Sequence, residues 1–428
     1  MQDAALRLKS LVEQLLGAPL PLRIRAWDGS ETGPPAAPVL VVRNRRAVRR
    51  LLWKPGELGL ARAWVAGDLG VEGDLYAALD LMSGLLWERG EDARGVGEAL
   101  RDPEVRAALR GLVKLAGPLP PAPPAEEVRR RRHLHTKRSD KRAISHHYDV
   151  GNDFYEIVLG PSMVYSCAYW EDGGSLEDAQ RDKLELIARK LDLKPGQRLL
   201  DVGCGWGSMA IHAAREHGVS VVGVTLSQEQ AAYARKRVAD EGLTDRVEIR
   251  VQDYRDVTDG PFDAISSIGM AEHVGAERYL EYAETLRRLL RPGGRLLNHQ
   301  IARPPRRDES AYSVDEFIDA YVFPDGELAP VGTTVTQLER AGFEVRDVES
   351  IREHYALTLR RWVANLEEQW TRAVRLTSPG RARVWRLYMA ASALAFEHNR
   401  IGVNQVLAVR TPEASGASGM PLRARDWN

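Results

Sequence analysis

Residues 199–207 read LLDVGCGWG, and the prediction of the fold starts from this sequence. An apolar run ends there in Asp201 and Val202, and glycine follows at alternate positions: Gly203, Gly205 and Gly207. Glycine permits positive φ angles and lacks the Cβ that would block a closely approaching ligand. The pattern predicts a strand over 198–202, a tight turn, and a helix over 208–217 whose first N–H groups face the turn. Such a turn also occurs without a ligand, and its spacing is not that of the GxGxxG dinucleotide fingerprint.

Three further apolar runs follow at 219–224, 247–251 and 262–268, and each ends in polar or otherwise unusual residues. These are Thr225, Leu226, Ser227 and Gln230 after the first run, Gln252, Asp253 and Tyr254 after the second, and Gly269, Met270, Ala271, Glu272 and His273 after the third. The carboxyl ends of parallel strands share one edge of an open sheet, where ligands bind. The pattern therefore predicts an α/β fold with a doubly wound sheet and a ribose-binding region about 20 residues beyond the glycines.

The composition excludes several classes of protein. The 428 residues include 60 basic and 60 acidic side chains, so the net charge is zero and no global field favours nucleic acid. Cys167 and Cys204 are the only cysteines, which excludes a disulfide framework and a cysteine-rich zinc site, and no metal is predicted. A reducing, cytoplasmic location follows most simply. No run of about 20 apolar residues occurs, so contact with a membrane is expected to be peripheral.

The proline-rich segment GPLPPAPP at 117–124 marks the clearest boundary, because it can hold neither a helix nor a central strand. We expect it to be a stiff spacer. The predicted organisation is an N-terminal domain over 1–116, a linker with a basic run over 117–142, a catalytic domain over 143–411 and a disordered tail over 412–428. The N-terminal domain is predicted to be mixed but mainly helical, with helices near 5–16 and 74–88 and a strand at 39–42.

The basic run begins with RRRRH at 129–133 and continues to Arg142. Charge runs are usually solvated connecting helices. Alternatively, this run binds anionic phospholipid electrostatically, and each basic residue near the membrane surface contributes on the order of 1 kcal/mol to the binding free energy. The second interpretation is favoured only in combination with a lipid substrate.

Five ordered motifs together resemble the cyclopropane fatty acid synthase family of S-adenosylmethionine-dependent methyltransferases. They are LLDVGCGWG at 199–207, VVGVTLSQEQ at 221–230, VQDYRD at 251–256, SIGMAEHVG at 267–275 and, upstream, HHYDVGNDFYEIVLGPSMVYSCAYWED at 146–172. The resemblance runs from about 143 to 410. It implies a class I methyltransferase, Rossmann-like fold with a helical lid insertion, and a smaller N-terminal domain that helps to meet lipid. The implied substrate is the cis double bond of an unsaturated phospholipid acyl chain, and a homodimer is possible.

The reaction that this resemblance implies makes clear chemical demands. An alkene is a poor nucleophile, so the sulfonium methyl must be aligned with it in a dry site. The resulting carbocation must then lose a proton to a base. Among the side chains, Glu272 or His299 could be that base. In the family, as the resemblance implies, a bound bicarbonate ion is the base. The residues of this chain that match its binding set are Cys167 with its backbone amide, Glu272, His299, Ile301 with its backbone N–H, and Tyr355 with its hydroxyl.

The resemblance also implies the residues that bind the methyl donor, S-adenosylmethionine. Tyr165 and Ser166 close over the donor, and the turn with Asp201, Gly203 and Gly205 contacts its amino acid portion. The ribose region is Thr225, Leu226, Ser227 and Gln230, and the adenine region is Tyr254 and Arg255. Taken alone, several of these residues have plainer explanations as buried core groups.

Residues 312–330, which include FIDAYVFPDGELAP, correspond to the family's helical insertion over the active site. Its apolar side chains would line a lipid slot, although core packing at helical spacing predicts the same pattern: Phe317, Tyr321, Val322 and Phe323. One departure concerns the residue before Glu272, which is commonly aromatic in the family and is Ala271 here. This change affects a wall of the slot.

Three functional interpretations remain open at this point. The first is cyclopropanation of unsaturated phospholipid acyl chains. The second is a methyltransferase of the same family that makes a methylene-branched chain, which a flavoprotein reductase then converts to a 10-methyl branch. The third is a lipid-binding protein that keeps the fold without activity.

Overall fold

The structure is a computed structural model that describes residues 3–16, 18–87, 102–128, 150–309, 312–324 and 326–423. The basic run at 129–142 lies outside the described residues. Residues 412–423 form neither helix nor strand, and the disorder of the tail stays a prediction. No helix in the described ranges has the length and apolar character needed to cross a membrane.

The chain divides into two compact units. The first comprises Met1–Arg130, Asp315–Val322 and Thr377–Leu394, and the second comprises Arg131–Val314, Phe323–Leu376 and Ala395–Asn428. Residues 315–322 and 377–394, which the sequence assigned to the catalytic domain, therefore belong to the first unit. The predicted domains were consecutive ranges of the chain, whereas the first unit also includes two later segments.

The first unit contains a small sheet of strand order β2-β1-β3-β4. Its strands are β1 Arg23–Arg25, β2 Glu31–Thr32, β3 Val39–Val42 and β4 Leu69–Glu72. Its helices are Ala4–Leu16, Arg45–Trp53, Glu57–Val65, Leu75–Trp87, Pro103–Ala116, Glu316–Tyr321 and most of Pro379–Glu397. Helix starts follow local chemistry: the Asn44 side chain accepts from the Arg46 N–H, and Asp102 caps a helix that begins with Pro103.

The proline-rich segment belongs to the first unit and is hydrogen-bonded to side chains of the helix Arg45–Trp53, and its stiffness stays a prediction. Arg50 Nη1 donates to the Ala122 carbonyl at 2.7 Å, and Trp53 Nε1 donates to the Pro118 carbonyl at 2.8 Å. Farther along, Glu127 accepts two hydrogen bonds from Arg62, at 2.7 and 2.5 Å. The prolines end the preceding helix as predicted, but side chains outside the segment hold it in place.

The second unit is built on a seven-stranded sheet of order β10-β11-β9-β8-β5-β6-β7. Strands β5 to β9 are mutually parallel, and β11 is antiparallel to both of its neighbours. The strands are β5 Arg198–Val202, β6 Ser220–Thr225, β7 Val247–Val251, β8 Phe262–Ile268, β9 Leu290–Ala302, β10 Glu344–Ser350 and β11 Gly402–Val409. The main helices are Asn152–Leu159, Leu176–Leu191, Ser208–His217, Gln228–Asp240, Tyr279–Leu289, Val331–Arg340, Arg352–Glu368 and Trp370–Leu376. The predicted α/β doubly wound fold is confirmed.

Two apolar clusters cover the two faces of this sheet. One includes Leu199, Val221 and Ile249, and the other includes Leu200 and Val222 from the same strands. Parallel strands buried on both faces read as continuous apolar runs, which is why the polar residues collect at the strand ends. The chain order changes direction between β5 and β8, and the crevice outside their carboxyl ends is the expected ligand site.

Candidate active site

The glycine turn after β5 is fixed by backbone hydrogen bonds to β6. Gly203 N and Cys204 N both donate to the Val224 carbonyl, at 2.9 and 3.0 Å. Gly203 has a φ of 75° and Gly205 a φ of 54°, both in the region that favours glycine. A Cβ added to Gly205 would meet no atom within 4 Å. The turn therefore holds bare backbone beside open space, as a close ligand requires.

A cavity lies at the carboxyl ends of β5, β6 and β8. Its wall contains all the residues predicted to bind the donor except one: Tyr165, Ser166, Asp201, Gly203, Gly205, Thr225, Leu226, Gln230, Tyr254 and Arg255. The exception is Ser227, whose side chain instead caps the next helix by accepting from Gln230 N at 3.2 Å. Residues that the resemblance did not name, among them Lys183 and Met270, also line the wall.

The predicted ribose and adenine regions carry oriented polar groups. Thr225 Oγ1 donates to Gln230 Oε1 at 2.9 Å, and both side chains are buried. Beyond β7, the Arg255 guanidinium lies 5.5 Å from the centre of the Tyr254 ring and pairs with Asp253 at 2.6 Å. These contacts fix the side chains at the cavity wall before any ligand arrives.

Asp201 provides an acceptor at the cavity wall. Its Oδ1 accepts from Ser266 Oγ at 2.7 Å, in keeping with the pairing of these two residues across β5 and β8. Its Oδ2 is buried and has no hydrogen-bond partner in the described structure. Burial raises the pKa of Asp201 to about 6, against the lowering effects of Ser266 and Lys183. An orphaned carboxylate oxygen beside the glycine turn fits the ammonium group of an amino acid portion such as that of S-adenosylmethionine.

Glu272 and Ile301 are brought together, as predicted. Glu272 lies in the short 3₁₀ helix Ala271–His273 after β8, and its Oε1 accepts from the Ile301 N–H at 2.8 Å. Its Oε2 is buried without a partner among the described residues. Burial raises the pKa of Glu272 to about 7, more than the hydrogen bond from Ile301 lowers it. The Ile301 N–H is thus donated to Glu272, whereas the resemblance gave it to a bound ion.

His299 lies on the opposite face of β9 from its neighbours Asn298 and Gln300, because side chains alternate along a strand. Its Nδ1 lies 3.4 Å from Gln405 Nε2. Burial, and then the positive charges of Lys183 and Lys190, hold its pKa well below the usual value. The imidazole is therefore neutral near pH 7.

Cys167, from the loop before the helix Leu176–Leu191, lies near the start of the helix Arg352–Glu368, which carries Tyr355. The buried Cys167 Sγ lies 3.6 Å from the Ile351 carbonyl, immediately before this second helix. Burial raises the pKa of the Cys167 thiol well above its usual value, so the thiol is protonated and a poor nucleophile. The Tyr355 ring packs on Phe396, with ring centres 4.7 Å apart. Within the predicted ion set, Glu272 and Ile301 share a direct hydrogen bond.

The predicted lid is divided between the two units. The rings of Tyr321 and Phe317 are tilted against each other with their centres 5.6 Å apart in the first unit, where the Tyr321 hydroxyl donates to Glu127 at 2.9 Å. In the second unit, Phe323 lies 5.9 Å from the His273 ring, and Glu327 N donates to the Glu272 carbonyl at 3.1 Å. The end of the segment is therefore held against the Glu272 turn, and the lipid slot stays a prediction.

One group of described side chains has the composition of a metal site. Glu185, His212 and His217 place their ligand atoms within 4.8 Å of one another. Glu185 Oε2 lies 2.9 Å from His217 Nε2 and 3.2 Å from His212 Nε2. Ordinary hydrogen bonds account for these distances, and none of the three residues lines the cavity.

The strand order, the glycine turn and the cavity define a Rossmann-like fold of the S-adenosylmethionine-dependent methyltransferase class. The crystal structure of mycolic acid cyclopropane synthase CmaA1 complexed with SAH and CTAB is similar at a TM-score of 0.60 and 33% identity, covering 63% of this chain and 98% of that one. A probable fatty acid methyltransferase of Mycobacterium tuberculosis is 46% identical over 415 residues, 94% of each chain. The cyclopropane-fatty-acyl-phospholipid synthase of Escherichia coli K12 is 41% identical over 267 residues, 62% of this chain and 67% of that one.

The family described as mycolic acid cyclopropane synthetase matches residues 135–406. The chain belongs to this family, and the predicted resemblance is confirmed. The family and the fold make it an S-adenosylmethionine-dependent methyltransferase.

Proposed function

We propose that the protein transfers a one-carbon unit from S-adenosylmethionine to the cis double bond of an unsaturated phospholipid acyl chain and forms a cyclopropane ring. The observation that carries this proposal is the buried Glu272 carboxyl group, held by the Ile301 N–H with one oxygen free of hydrogen bonds. Its neighbours Met270 and His273 line the donor cavity. An acid of this kind has no use in binding the donor alone, but proton removal from a carbocation requires polar groups beside the methyl.

The reaction balances as follows. The alkene carbon bonds to the sulfonium methyl, the sulfur–carbon bond breaks, and S-adenosylhomocysteine leaves. The transferred carbon then loses one proton, and its freed electron pair closes the ring on the cationic carbon. The protein must hold the methyl in line and keep water from the cation. Bound bicarbonate would supply the base for the proton.

Glu272 fits a role beside such an anion, because its pKa of about 7 leaves it partly protonated at neutral pH. A protonated Oε2 can donate a hydrogen bond to an anion, whereas an ionised one repels it. The Ile301 N–H does not fit the role that the resemblance gave it, since it already donates to Glu272. We therefore assign Ile301 to holding Glu272, and we keep Cys167, His299 and Tyr355 as the proposed remainder of the set.

A methylene-branched product is the second candidate. The relative that matches 94% of this chain is named a probable fatty acid methyltransferase, whereas the Escherichia coli cyclopropane synthase matches 62% of it. Ala271 in place of an aromatic residue alters the wall next to Glu272 and so affects how the cation is guarded. In this case a flavoprotein reductase would be the partner that completes a 10-methyl branch.

The lipid substrate further leads us to propose that the protein works at the cytoplasmic face of a membrane as a peripheral protein. The family resemblance leads us to propose that it is a homodimer. The basic run at 129–142 is the proposed contact with anionic lipid. Vesicle binding that is unchanged at low and moderate salt, after this run is replaced by glutamines, would contradict that contact.

The direct test is to incubate the purified protein with S-adenosylmethionine and oleoyl phospholipid vesicles and to analyse the fatty acid methyl esters by mass spectrometry. A product one CH₂ heavier that resists hydrogenation to a branched chain supports cyclopropanation. A product with an exocyclic methylene supports the second candidate. No product from any cis-unsaturated lipid leaves the lipid-binding interpretation and overturns the proposal.

A further inference from the structure

Lys183 is a wholly buried lysine at the wall of the donor cavity. Its Nζ donates to Ser166 Oγ at 2.8 Å, and Ser166 belongs to the pair predicted to close over the donor. None of the described carboxylates forms an ion pair with it. The Cys167 thiol and then the Asp201 carboxylate act on it electrostatically, and the Oδ2 of Asp201 also lacks a partner among the described residues. An ammonium group offers three donors, so Lys183 has capacity left for a ligand.

Lys190, on the same helix, is a buried lysine whose charge is paired within the protein. It lies two turns farther along Leu176–Leu191 and is equally buried. Its Nζ pairs with Asp347 at 3.3 Å and with Glu349 at hydrogen-bonding distance. Buried charges are normally paired in this way, since an unpaired one is costly. The contrast indicates that Lys183, which has no carboxylate partner among the described residues, is available to a bound ligand.

We propose that Lys183 binds the α-carboxylate of the methionine portion of S-adenosylmethionine. The inference rests on the proposed function only in that the donor binds in this cavity. The carboxylate is the only anionic group of the donor, and the ammonium group beside it matches the orphaned Asp201 Oδ2. Lys183 and Asp201 therefore present charges of opposite sign to the two charged ends of an amino acid. Charge-assisted hydrogen bonds of this kind are among the strong ones.

The test compares two ligands that differ only in the carboxylate: S-adenosylhomocysteine and its decarboxylated analogue, which keeps the amine. By isothermal titration calorimetry, Lys183→Met should lower the affinity for S-adenosylhomocysteine roughly ten- to a hundredfold, with the affinity for the analogue changed less than about twofold. Lys190→Met is the matched control, because it removes a buried ammonium from the same helix. It should leave the ratio of the two affinities unchanged.

Other outcomes separate the possibilities. Equal losses for both ligands in Lys183→Met, or no loss for either, would overturn the inference. If the wild-type protein binds neither S-adenosylhomocysteine nor the analogue, the proposed function itself is contradicted. If it binds both with equal affinity, only this inference is contradicted. If Lys183→Met does not fold, the wild-type protein provides the test. Burial lowers the pKa of Lys183 to about 8, so the lysine loses its charge between pH 7 and pH 9. The ratio of the affinity for S-adenosylhomocysteine to that for the decarboxylated analogue should therefore decline over this range. A preference that stays flat over this range overturns the inference.

Discussion

The donor cavity and the residues of the proposed ion set differ in how the chain supplies them. The donor residues after β5, β6 and β7 lie within a few positions of a strand end, so the strand order alone brings them together. The ion set comes from segments far apart in the chain, near 167, 272, 300 and 355. A contact between such segments, like the hydrogen bond from the Ile301 N–H to Glu272, depends on the tertiary fold. The comparison teaches that local geometry fixes the donor site, whereas the second site depends on long-range contacts.

The sharpest way to separate the two regions is Glu272→Gln. Loss of the acid should reduce turnover by about a hundredfold or more, the range of a general acid–base contribution. Affinity for S-adenosylhomocysteine should stay within about twofold, because Glu272 is not part of the cavity wall. Rate assays and calorimetry on one preparation measure both. Glu277→Gln, an exposed change in the same segment, is the control, and equal losses in both variants would contradict the separation.

The same substitution should also change how stability depends on pH. The pKa of Glu272 is raised from 4.5 unfolded to about 7 folded, so the folded protein holds this proton more tightly. Its contribution to stability is present below about pH 4.5 and is lost as pH rises through 7. From pH 8 to pH 5, the wild type should therefore gain about 2–3 kcal/mol of unfolding free energy relative to Glu272→Gln. Urea unfolding at both pH values tests this, and parallel curves would rule out a buried, raised acid.

In the donor cavity, Gly205→Ala should weaken the binding of S-adenosylhomocysteine. A Cβ at Gly205 projects into open space at the cavity, and the φ of 54° strains any other residue. Affinity for S-adenosylhomocysteine should fall about tenfold. Gly196→Ala shares the strain, with a φ of 84° and no nearby atoms, but lies away from the cavity. If both variants bind the ligand equally well, the glycine turn is not the binding surface.

A smaller effect is expected from Thr225→Val, which keeps the shape of the side chain and removes the hydroxyl that orients Gln230. We expect an affinity loss of about fivefold, as for one neutral hydrogen bond. Titration calorimetry against Thr333→Val, an exposed threonine, provides the measure. An unchanged affinity would remove this pair from the ribose region.

Much of this architecture could be predicted from the sequence because its determinants are local. The strands β5, β7 and β8 and the helix Ser208–His217 have the predicted bounds, since apolar runs and turn residues define them. The contacts that hold the proline-rich segment in place could not be predicted, because they come from Arg50 and Trp53, far away in sequence. Likewise, no local pattern indicates that 315–322 and 377–394 join the first unit.

The candidate site divides in the same way. Glu272 and Ile301 could be paired through the family resemblance, but the use of the Ile301 N–H is a contact that only the structure provides. Lys183 was missed, although the helix Leu176–Leu191 carried an indication. Lysine stands there at a position on the buried face otherwise occupied by residues such as Leu184 and Ile187. A charged residue in an apolar stripe is a reason to look for a ligand.

In the proposed reaction, a methyl carbon bonds to an alkene carbon and then loses one proton beside Glu272. Donor labelled with a trideuteriomethyl group, incubated with oleoyl phospholipid and the purified protein, tests it in one mass spectrum. We expect a fatty acid product that retains two of the three deuterium atoms. A product that retains all three would contradict it, because the transferred carbon would then have lost no proton.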